Sequence, residues 1–136
     1  ALRGTDGLFV AADAPLKTAG YAGVPYVARH IGASTLHATG ITGKGVTIAF
    51  VDTGIWTNNA VSTNTAGKTV VLQGYDAIRH IVSTSKAVDE SGHGTHVMSV
   101  AASSRLGTDG TYAGVAPDAS RVAVKAFGKD GSGSYS

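Results

Sequence analysis

Two side chains of this 136-residue sequence combine reactive chemistry with an informative setting: the carboxylate of Asp52 and the imidazole of His93. Asp52 follows an apolar run, residues 46–51, which is typical of a strand buried on both faces of a parallel sheet. His93 lies between Gly92 and Gly94 and opens a stretch whose apolar residues have helical spacing. A carboxylate can orient an imidazole and stabilise its protonated form. His93 could therefore act as the general base of a hydrolase, with Asp52 as the carboxylate that orients it.

Each residue also has a simpler interpretation when it is taken alone. Asp52 could accept hydrogen bonds from the turn at Thr53 and Gly54. His93 could be an ordinary residue at a helix start, where the helix dipole disfavours protonation. His96 could join His93 and Asp52 in a metal-dependent hydrolase, but the zinc-protease pattern His-Glu-x-x-His lacks its glutamate here. We therefore expect His96 to be a packed helix residue, and we assign no metal ligand.

Strand and helix patterns alternate around these two residues. Apolar runs predict strands at residues 46–51, 69–74 and 121–127. Helical spacing predicts helices at 33–39 and 93–103, with a polar loop at 57–68. This order favours an α/β fold with a parallel sheet, in which ligands gather beyond the carboxyl ends of the strands. Asp52 would lie at that edge.

The composition is that of a globular domain with few charges. Hydrophobic residues make up 43% of the chain, and 11 Lys and Arg residues oppose 9 Asp and Glu residues without any block of like charge. Nucleic-acid binding is therefore not expected. No run approaches the ~18 apolar residues of a membrane helix, so no membrane span is expected either. The absence of cysteine excludes disulfides and thiol catalysis.

The two segments together resemble the subtilisin-like serine proteases, or subtilases. Val-Asp-Thr-Gly-Ile at 51–55 and His-Gly-Thr-His-Val at 93–97 place the aspartate 41 residues before the histidine. Gly-Val-Ala-Pro at 114–117 is similar to a family turn, and Val-Ala-Val-Lys at 122–125 to the strand that follows it. The family's catalytic residues follow the chain order Asp, His, Ser. The resemblance covers residues 31–136.

The resemblance implies a subtilisin-like three-layer α/β fold with a mostly parallel sheet, incomplete in this chain, and an endopeptidase activity. Asp52 and His93 match the aspartate and histidine of the catalytic triad. The family's nucleophile motif, Gly-Thr-Ser-Met-Ala, is absent, and Gly-Thr-Tyr-Ala at 110–113 has tyrosine where serine is required. We expect the serine and the oxyanion-hole asparagine beyond residue 136, and the chain alone to be inactive and marginally folded.

The resemblance also implies a substrate-binding segment near residue 130. By that match, Gly131, Ser132 and Gly133 would line a channel in which extended substrate pairs with the backbone, and Tyr135 would border a distal hydrophobic subsite. Without the resemblance, a flexible Gly/Ser loop is the simpler interpretation of this segment. The implied partners are polypeptide substrates and the protein's own propeptide.

The remaining expectations also rest on the resemblance. Residues 1–30 are interpreted as a propeptide tail with a maturation junction, and residues 31–136 as the amino-terminal part of a catalytic domain. The family implies secretion and chemistry without a cofactor. A structural calcium ion is compatible with the family, but no carboxylate here is assigned to it. The alternative is a degenerate, non-catalytic peptide-binding module, against which the joint presence of Asp52 and His93 argues.

Overall fold

The structure is a computed structural model that describes residues 2–3, 9–10, 26–83 and 87–133. Its elements, in chain order, are β1 (Leu2–Arg3), β2 (Phe9–Val10), α1 (Tyr26–His30), α2 (Ala33–Ala38), β3 (Thr47–Asp52), α3 (Asn59–Ser62), β4 (Val71–Asp76), β5 (Ile81–Val82), α4 (His93–Ala102) and β6 (Ser120–Lys125). Strands β1 and β2 form a separate antiparallel pair. Most of residues 1–30 lies outside the described part, so their assignment to a propeptide stays a prediction.

Four strands form the sheet that carries the site, in the order β3-β6-β4-β5. Strand β6 is parallel to both β3 and β4, and only β5 runs antiparallel. The predicted α/β fold with a mostly parallel sheet is confirmed. The register places Lys125 between Asp52 and Asp76, so that three charged residues end neighbouring strands at the carboxyl edge.

The core lies between the sheet and helix α4. Its buried side chains come from β3, the loop after it, α3, α4 and β6: Phe50, Ile55, Val61, Met98, Ala102 and Ala123. Because successive strand residues face opposite sides, Phe50 points to α4 while Val51 points away and is 60% exposed. The expectation that this strand is buried on both faces was therefore wrong for the described part of the chain, where only one face is covered.

The polar loop expected at 57–68 contains a short helix, α3. Asn58 caps it, since the Asn58 side-chain oxygen accepts a hydrogen bond from the backbone N–H of Val61 at 3.3 Å. The Val61 side chain is 1% exposed and joins the core. One buried valine and one cap were too little signal to predict a helix from the sequence. Among the described residues, every helix is too short or too polar to span a lipid bilayer.

The turn at 114–117 closes the carboxyl end of α4. The backbone N–H groups of this turn donate to Val100, Ala101 and Ser103 carbonyls at 3.2, 2.8 and 3.0 Å. These are carbonyls that the last turn of a helix leaves without intrahelical partners. A Cβ atom on Gly114 would lie 2.2 Å from the Ser103 nitrogen, so only glycine permits this approach. The Gly-Val-Ala-Pro motif therefore packs closely against the carboxyl end of α4 and supplies hydrogen-bond donors to its last carbonyls.

Arg121, in the second position of β6, completes this closure from within the core. Its side chain is fully buried, and one terminal nitrogen donates to the carbonyls of Ala102 and Pro117. The other terminal nitrogen donates to the Thr63 carbonyl at 3.4 Å. Burial lowers the pKa of Arg121, and the charge of Asp118 raises it in part. The guanidinium thus joins α4 to two loops and places a cation at the helix end whose dipole favours one.

Replacing Arg121 with methionine should lower the free energy of unfolding by about 3 kcal/mol, because it leaves buried carbonyl groups without donors. Urea denaturation of the full chain would measure this. Arg29→Met is the matched control, since Arg29 is an exposed partner of Asp109 at 3.5 Å. That variant should change stability by less than about 0.5 kcal/mol. Equal effects of the two substitutions would contradict the structural role of Arg121.

Candidate active site

The carboxyl end of β3 meets the first residue of α4, and this junction brings Asp52 and His93 together. Nδ1 of His93 lies 2.7 Å from Oδ1 of Asp52, which also accepts the Thr53 backbone N–H at 2.7 Å. The His93 side chain is 65% exposed and that of Asp52 is 15% exposed. Because Nδ1 is engaged by the carboxylate, Nε2 is the ring nitrogen available for proton exchange with another group.

The two groups change each other's protonation. Burial alone would raise the pKa of Asp52, but the hydrogen bonds from His93 and Thr53 and the charge of His93 bring it below 3.8. The hydrogen bond to Asp52, with its charge, raises the pKa of His93 above 6.5. Partial desolvation opposes this and the charge of Asp89 adds to it. The two carboxylates thus favour the protonated imidazole, which is opposite in direction to the effect of the helix dipole considered from the sequence.

The junction depends on two glycines whose backbones touch. A Cβ atom on Gly94 would lie 2.5 Å from the Gly54 carbonyl oxygen, and one on Gly54 would lie 2.5 Å from the Ala87 carbonyl oxygen. Gly54 also has φ 117°, which other residues rarely adopt. In addition, the Gly94 backbone N–H donates to the Thr53 hydroxyl at 2.9 Å. No side chain separates β3 from α4 at this point, which is why the imidazole can reach the carboxylate.

Asp89, which the sequence analysis did not single out, is the most heavily bonded side chain at the site. Its carboxylate accepts five hydrogen bonds: from the Thr53 hydroxyl, from the backbone N–H groups of Ser91 and Gly92, and from both the N–H and the hydroxyl of Thr95. Burial raises its pKa, but these bonds lower it to about 2. That difference corresponds to about 2 kcal/mol in favour of the ionised form. In the sequence, an acidic residue just before a predicted helix could have indicated that Asp89 bonds to the first turn of that helix.

Lys125 is a second residue that the sequence analysis gave no role. Its side chain is 5% exposed, and Nζ donates to the carbonyls of Thr53 and Val88 at 3.0 and 2.9 Å. Nζ also lies 3.3 Å from a carboxylate oxygen of Glu90. The ammonium therefore fixes the residue after Asp52 to the loop that leads into α4. A lysine inside an otherwise apolar strand pattern was the signal for this role.

A cavity of about 380 Å³ opens beside the pair. Its lining includes Asp52, His93, Phe127, Lys129 and Gly131. Of the predicted substrate residues, Gly131 therefore shares a cavity with the pair. The other two that the structure describes, at positions 132 and 133, line a second cavity of about 520 Å³.

Short hydrogen bonds order the predicted substrate-binding segment. The Gly128 N–H donates to the Ser132 carbonyl at 2.8 Å, and Asp130 accepts from both the N–H and the hydroxyl of Ser132 at 3.0 and 2.7 Å. In the described residues this segment is thus a compact turn rather than an extended strand. Tyr135 lies outside the described residues, so its assignment to a distal subsite stays a prediction.

His96 belongs to a different part of the surface. It lines a cavity of about 390 Å³ with Val61, Ser99 and Val100, whereas His93 lines the cavity beside Asp52. His96 is also exposed rather than packed, contrary to the expectation from the helix pattern. Within the described ranges, no group of three or more His, Cys, Asp or Glu residues could hold a metal ion.

Comparison with known proteins gives this geometry a family context. The sequence pattern of the subtilase family matches residues 43–136. This chain belongs to the subtilase family. It is 37% identical over 93 residues to Serine protease AprX of Bacillus subtilis (strain 168), which is 68% of this chain and 19% of that protein. It is 36% identical over 113 residues to Subtilisin Savinase of Lederbergia lenta, covering 83% of this chain and 37% of that protein.

A solved structure supports the same relationship. The CspB protease of Clostridium perfringens has a TM-score of 0.59 to this chain at 26% identity, over 79% of this chain and 26% of that chain. The predicted resemblance is therefore confirmed at the level of family and fold. The chain spans less than two fifths of the length of either sequence relative and about a quarter of the CspB protease chain.

Gly94→Ala should destabilise the protein, although alanine normally favours a helix over glycine by about 0.5–1 kcal/mol. The added methyl group would collide with the Gly54 carbonyl, so we expect a loss of about 2 kcal/mol in urea denaturation. Ser99→Ala in the same helix is the control and should leave stability nearly unchanged or raise it. A Gly94→Ala protein that is more stable than the parent would disprove the backbone contact.

Asp52→Asn should lower the pKa of His93 toward 6.5, because it removes both the ionic hydrogen-bond partner and its charge. Titration of the His93 ring resonances by NMR would measure this, with His93→Gln to assign them. Asp130→Asn is the matched control, since Asp130 lines the same cavity but makes its hydrogen bonds to Ser132. The pKa of His93 should move less in that variant. An unchanged pKa in Asp52→Asn would show that the pair is not formed in solution.

Proposed function

We propose that this chain provides the aspartate and histidine of a serine endopeptidase that hydrolyses peptide bonds. The observation that carries the proposal is the 2.7 Å contact between Asp52 and His93, in a chain of the subtilase family. Relatives named as proteases, Serine protease AprX and the CspB protease among them, support the same activity. The raised pKa of His93 also suits a group that takes up and releases a proton near neutral pH.

The proposed mechanism gives each side chain one task. Nε2 of His93 removes the hydroxyl proton of a serine as the serine oxygen attacks the substrate carbonyl. His93 then gives that proton to the leaving amine, and an acyl-enzyme remains. In the second half, His93 takes a proton from a water molecule that attacks the acyl group, and returns it to the serine oxygen as the acyl–oxygen bond breaks and the carboxylic acid product forms. Asp52 holds the Nδ1–H tautomer throughout and stabilises the imidazolium while it exists.

The nucleophile is proposed to come from sequence outside these 136 residues. The chain spans 19% of AprX and 37% of Savinase, which leaves ample room in a longer protein for a serine and an oxyanion-hole donor. These two groups supply most of the rate enhancement in such enzymes. We therefore propose that the 136 residues alone are inactive and that peptidase activity belongs to the longer polypeptide.

The proposed substrate is an extended polypeptide that passes the Asp52–His93 pair. Gly131 lines the cavity beside the pair, and the residues that follow it, Ser132 and Gly133, line a second cavity, which supports their proposed role as the channel wall. Tyr135 is proposed to border a distal subsite on the resemblance alone.

The setting of the reaction is proposed from the relatives. One is named Minor extracellular protease Epr, from Bacillus subtilis (strain 168), and we propose secretion by analogy. The protein's own propeptide is proposed as a second partner. The proposed chemistry uses side chains alone and needs no cofactor, and a structural calcium ion remains a family-based proposal.

A fluorophosphonate probe, which phosphonylates activated serines with loss of fluoride, tests the proposal directly. We expect labelling and peptide hydrolysis by the longer polypeptide that carries these residues, and neither by the 136 residues alone. His93→Ala and Asp52→Asn in the longer polypeptide should each lower kcat by roughly 10³-fold or more. An exposed substitution outside the cavity, Arg29→Met, is the control and should retain full activity.

The pH dependence gives a second readout in the same assay. Because the base must be neutral, kcat/KM should rise as the pH passes the pKa of His93, which lies above 6.5. Peptide binding by the longer polypeptide without labelling or hydrolysis would instead favour the non-catalytic binding module. Activity of the 136 residues alone would overturn the proposed origin of the nucleophile.

A further inference from the structure

We propose that Asp89 is a positioning residue: it holds the end of β3 and the first turn of α4 at the separation that lets Asp52 bond to His93. This inference rests on the proposed function for its consequence in catalysis. Its structural part stands on the contacts of Asp89 alone.

The first contact ties Asp89 to strand β3. The Thr53 hydroxyl donates to Oδ1 of Asp89 at 2.7 Å and accepts the Gly94 backbone N–H at 2.9 Å. Thr53 follows Asp52 directly, and Gly94 follows His93 directly. One hydroxyl therefore joins the two residues next to the reactive pair, and Asp89 fixes the direction in which that hydroxyl donates. Thr53 is 2% exposed, so water does not compete for these bonds.

The second contact ties Asp89 to the first turn of α4. Oδ2 accepts the Thr95 backbone N–H at 2.8 Å and the Thr95 hydroxyl at 2.6 Å. The same hydroxyl accepts the Trp56 backbone N–H at 2.8 Å, which connects the helix to the loop after β3. Asp89 thus reaches β3 along two routes, one through Thr53 and one through Thr95 and Trp56. The two attachment points on α4, Gly94 and Thr95, follow His93 directly in the sequence.

An ionised carboxylate is the group that this arrangement requires. The five donors surround both oxygens, and an ionised carboxylate can accept from all of them because neither oxygen carries a hydrogen. The amide of asparagine would point its NH₂ group at one set of donors. If it faced Thr95, the backbone N–H of that residue would lose its acceptor, and if it faced Gly92, the turn before the helix would lose its own.

Removal of the Asp89 charge also acts on His93 electrostatically, so the test must separate position from charge. The charged groups that face the imidazole are Asp52 from β3, Asp89 from the loop before α4, and Lys129 and Asp130 from the loop after β6. Thr53→Val keeps all of these charges and removes only the hydroxyl that links Asp89 to Gly94. A change of position is therefore visible in Thr53→Val, whereas a change of charge is not.

The experiment compares Asp89→Asn and Thr53→Val in the longer polypeptide, with the pKa of His93 by NMR and the kinetic constants as readouts. We expect both variants to lower the pKa of His93 toward 6.5. We also expect kcat to fall by roughly 10-fold or more with KM changed by less than about 2-fold, because the base is misplaced while the substrate channel stays intact.

Asp118→Asn is the matched control. Asp118 accepts the N–H and the hydroxyl of Thr65 just as Asp89 accepts those of Thr95. It precedes β6, however, and so lies near the amino ends of the parallel strands, whereas the Asp52–His93 pair lies at their carboxyl ends. A merely structural effect would appear in this variant as lost stability without a change in the pKa of His93. If Thr53→Val leaves both that pKa and kcat unchanged, the positioning role of Asp89 is refuted.

The NMR readout also separates this inference from the proposed function. A lowered pKa of His93 in both variants, in a protein without peptidase activity, would support the positioning role and reject the endopeptidase. Normal kinetics in both variants, in an active protease, would do the reverse.

Discussion

The site depends on one steric constraint: a helix must begin in backbone contact with the end of a strand. Gly94 touches the Gly54 carbonyl at a distance that no Cβ atom would allow. Only this approach brings an imidazole on the first residue of α4 within 2.7 Å of a carboxylate on the last residue of β3. The Asp52–His93 pair therefore depends on direct backbone contact between Gly94 and Gly54, and the polar groups around the pair hold this contact in place.

Helix α4 is held at both ends. Two of the segments that hold it, the one around Thr53 and the turn at 114–117, also carry the family resemblance. At the amino end, Asp89 and Thr53 take the backbone N–H groups of Thr95 and Gly94. At the carboxyl end, the turn at 114–117 and the Arg121 side chain supply donors to the last carbonyls. Backbone groups at both ends of α4 are therefore bonded to the rest of the fold, which leaves the helix little freedom to move.

Local patterns in the sequence predicted the elements well. The apolar run before Asp52, the helical spacing after His93 and the α/β order are each readable within a few residues, and all appear in the structure. The roles of Asp89 and Lys125 were not readable in this way, because they arise from contacts between segments 36 and 72 residues apart. The exposure of Val51 was missed for a related reason, since a strand pattern does not say which layers cover it.

The sheet order has a consequence for how the protein is made. Among the described strands β6 comes last in sequence, yet it lies between β3 and β4, which do not pair with each other. During synthesis on the ribosome, β3 and β4 must wait for residues 120–125 to emerge before the parallel sheet can close. Closing such distant pairings is slow, and the apolar strands stay open to wrong partners meanwhile. The position of β6 in the sequence thus sets how long β3 and β4 remain unpaired during synthesis.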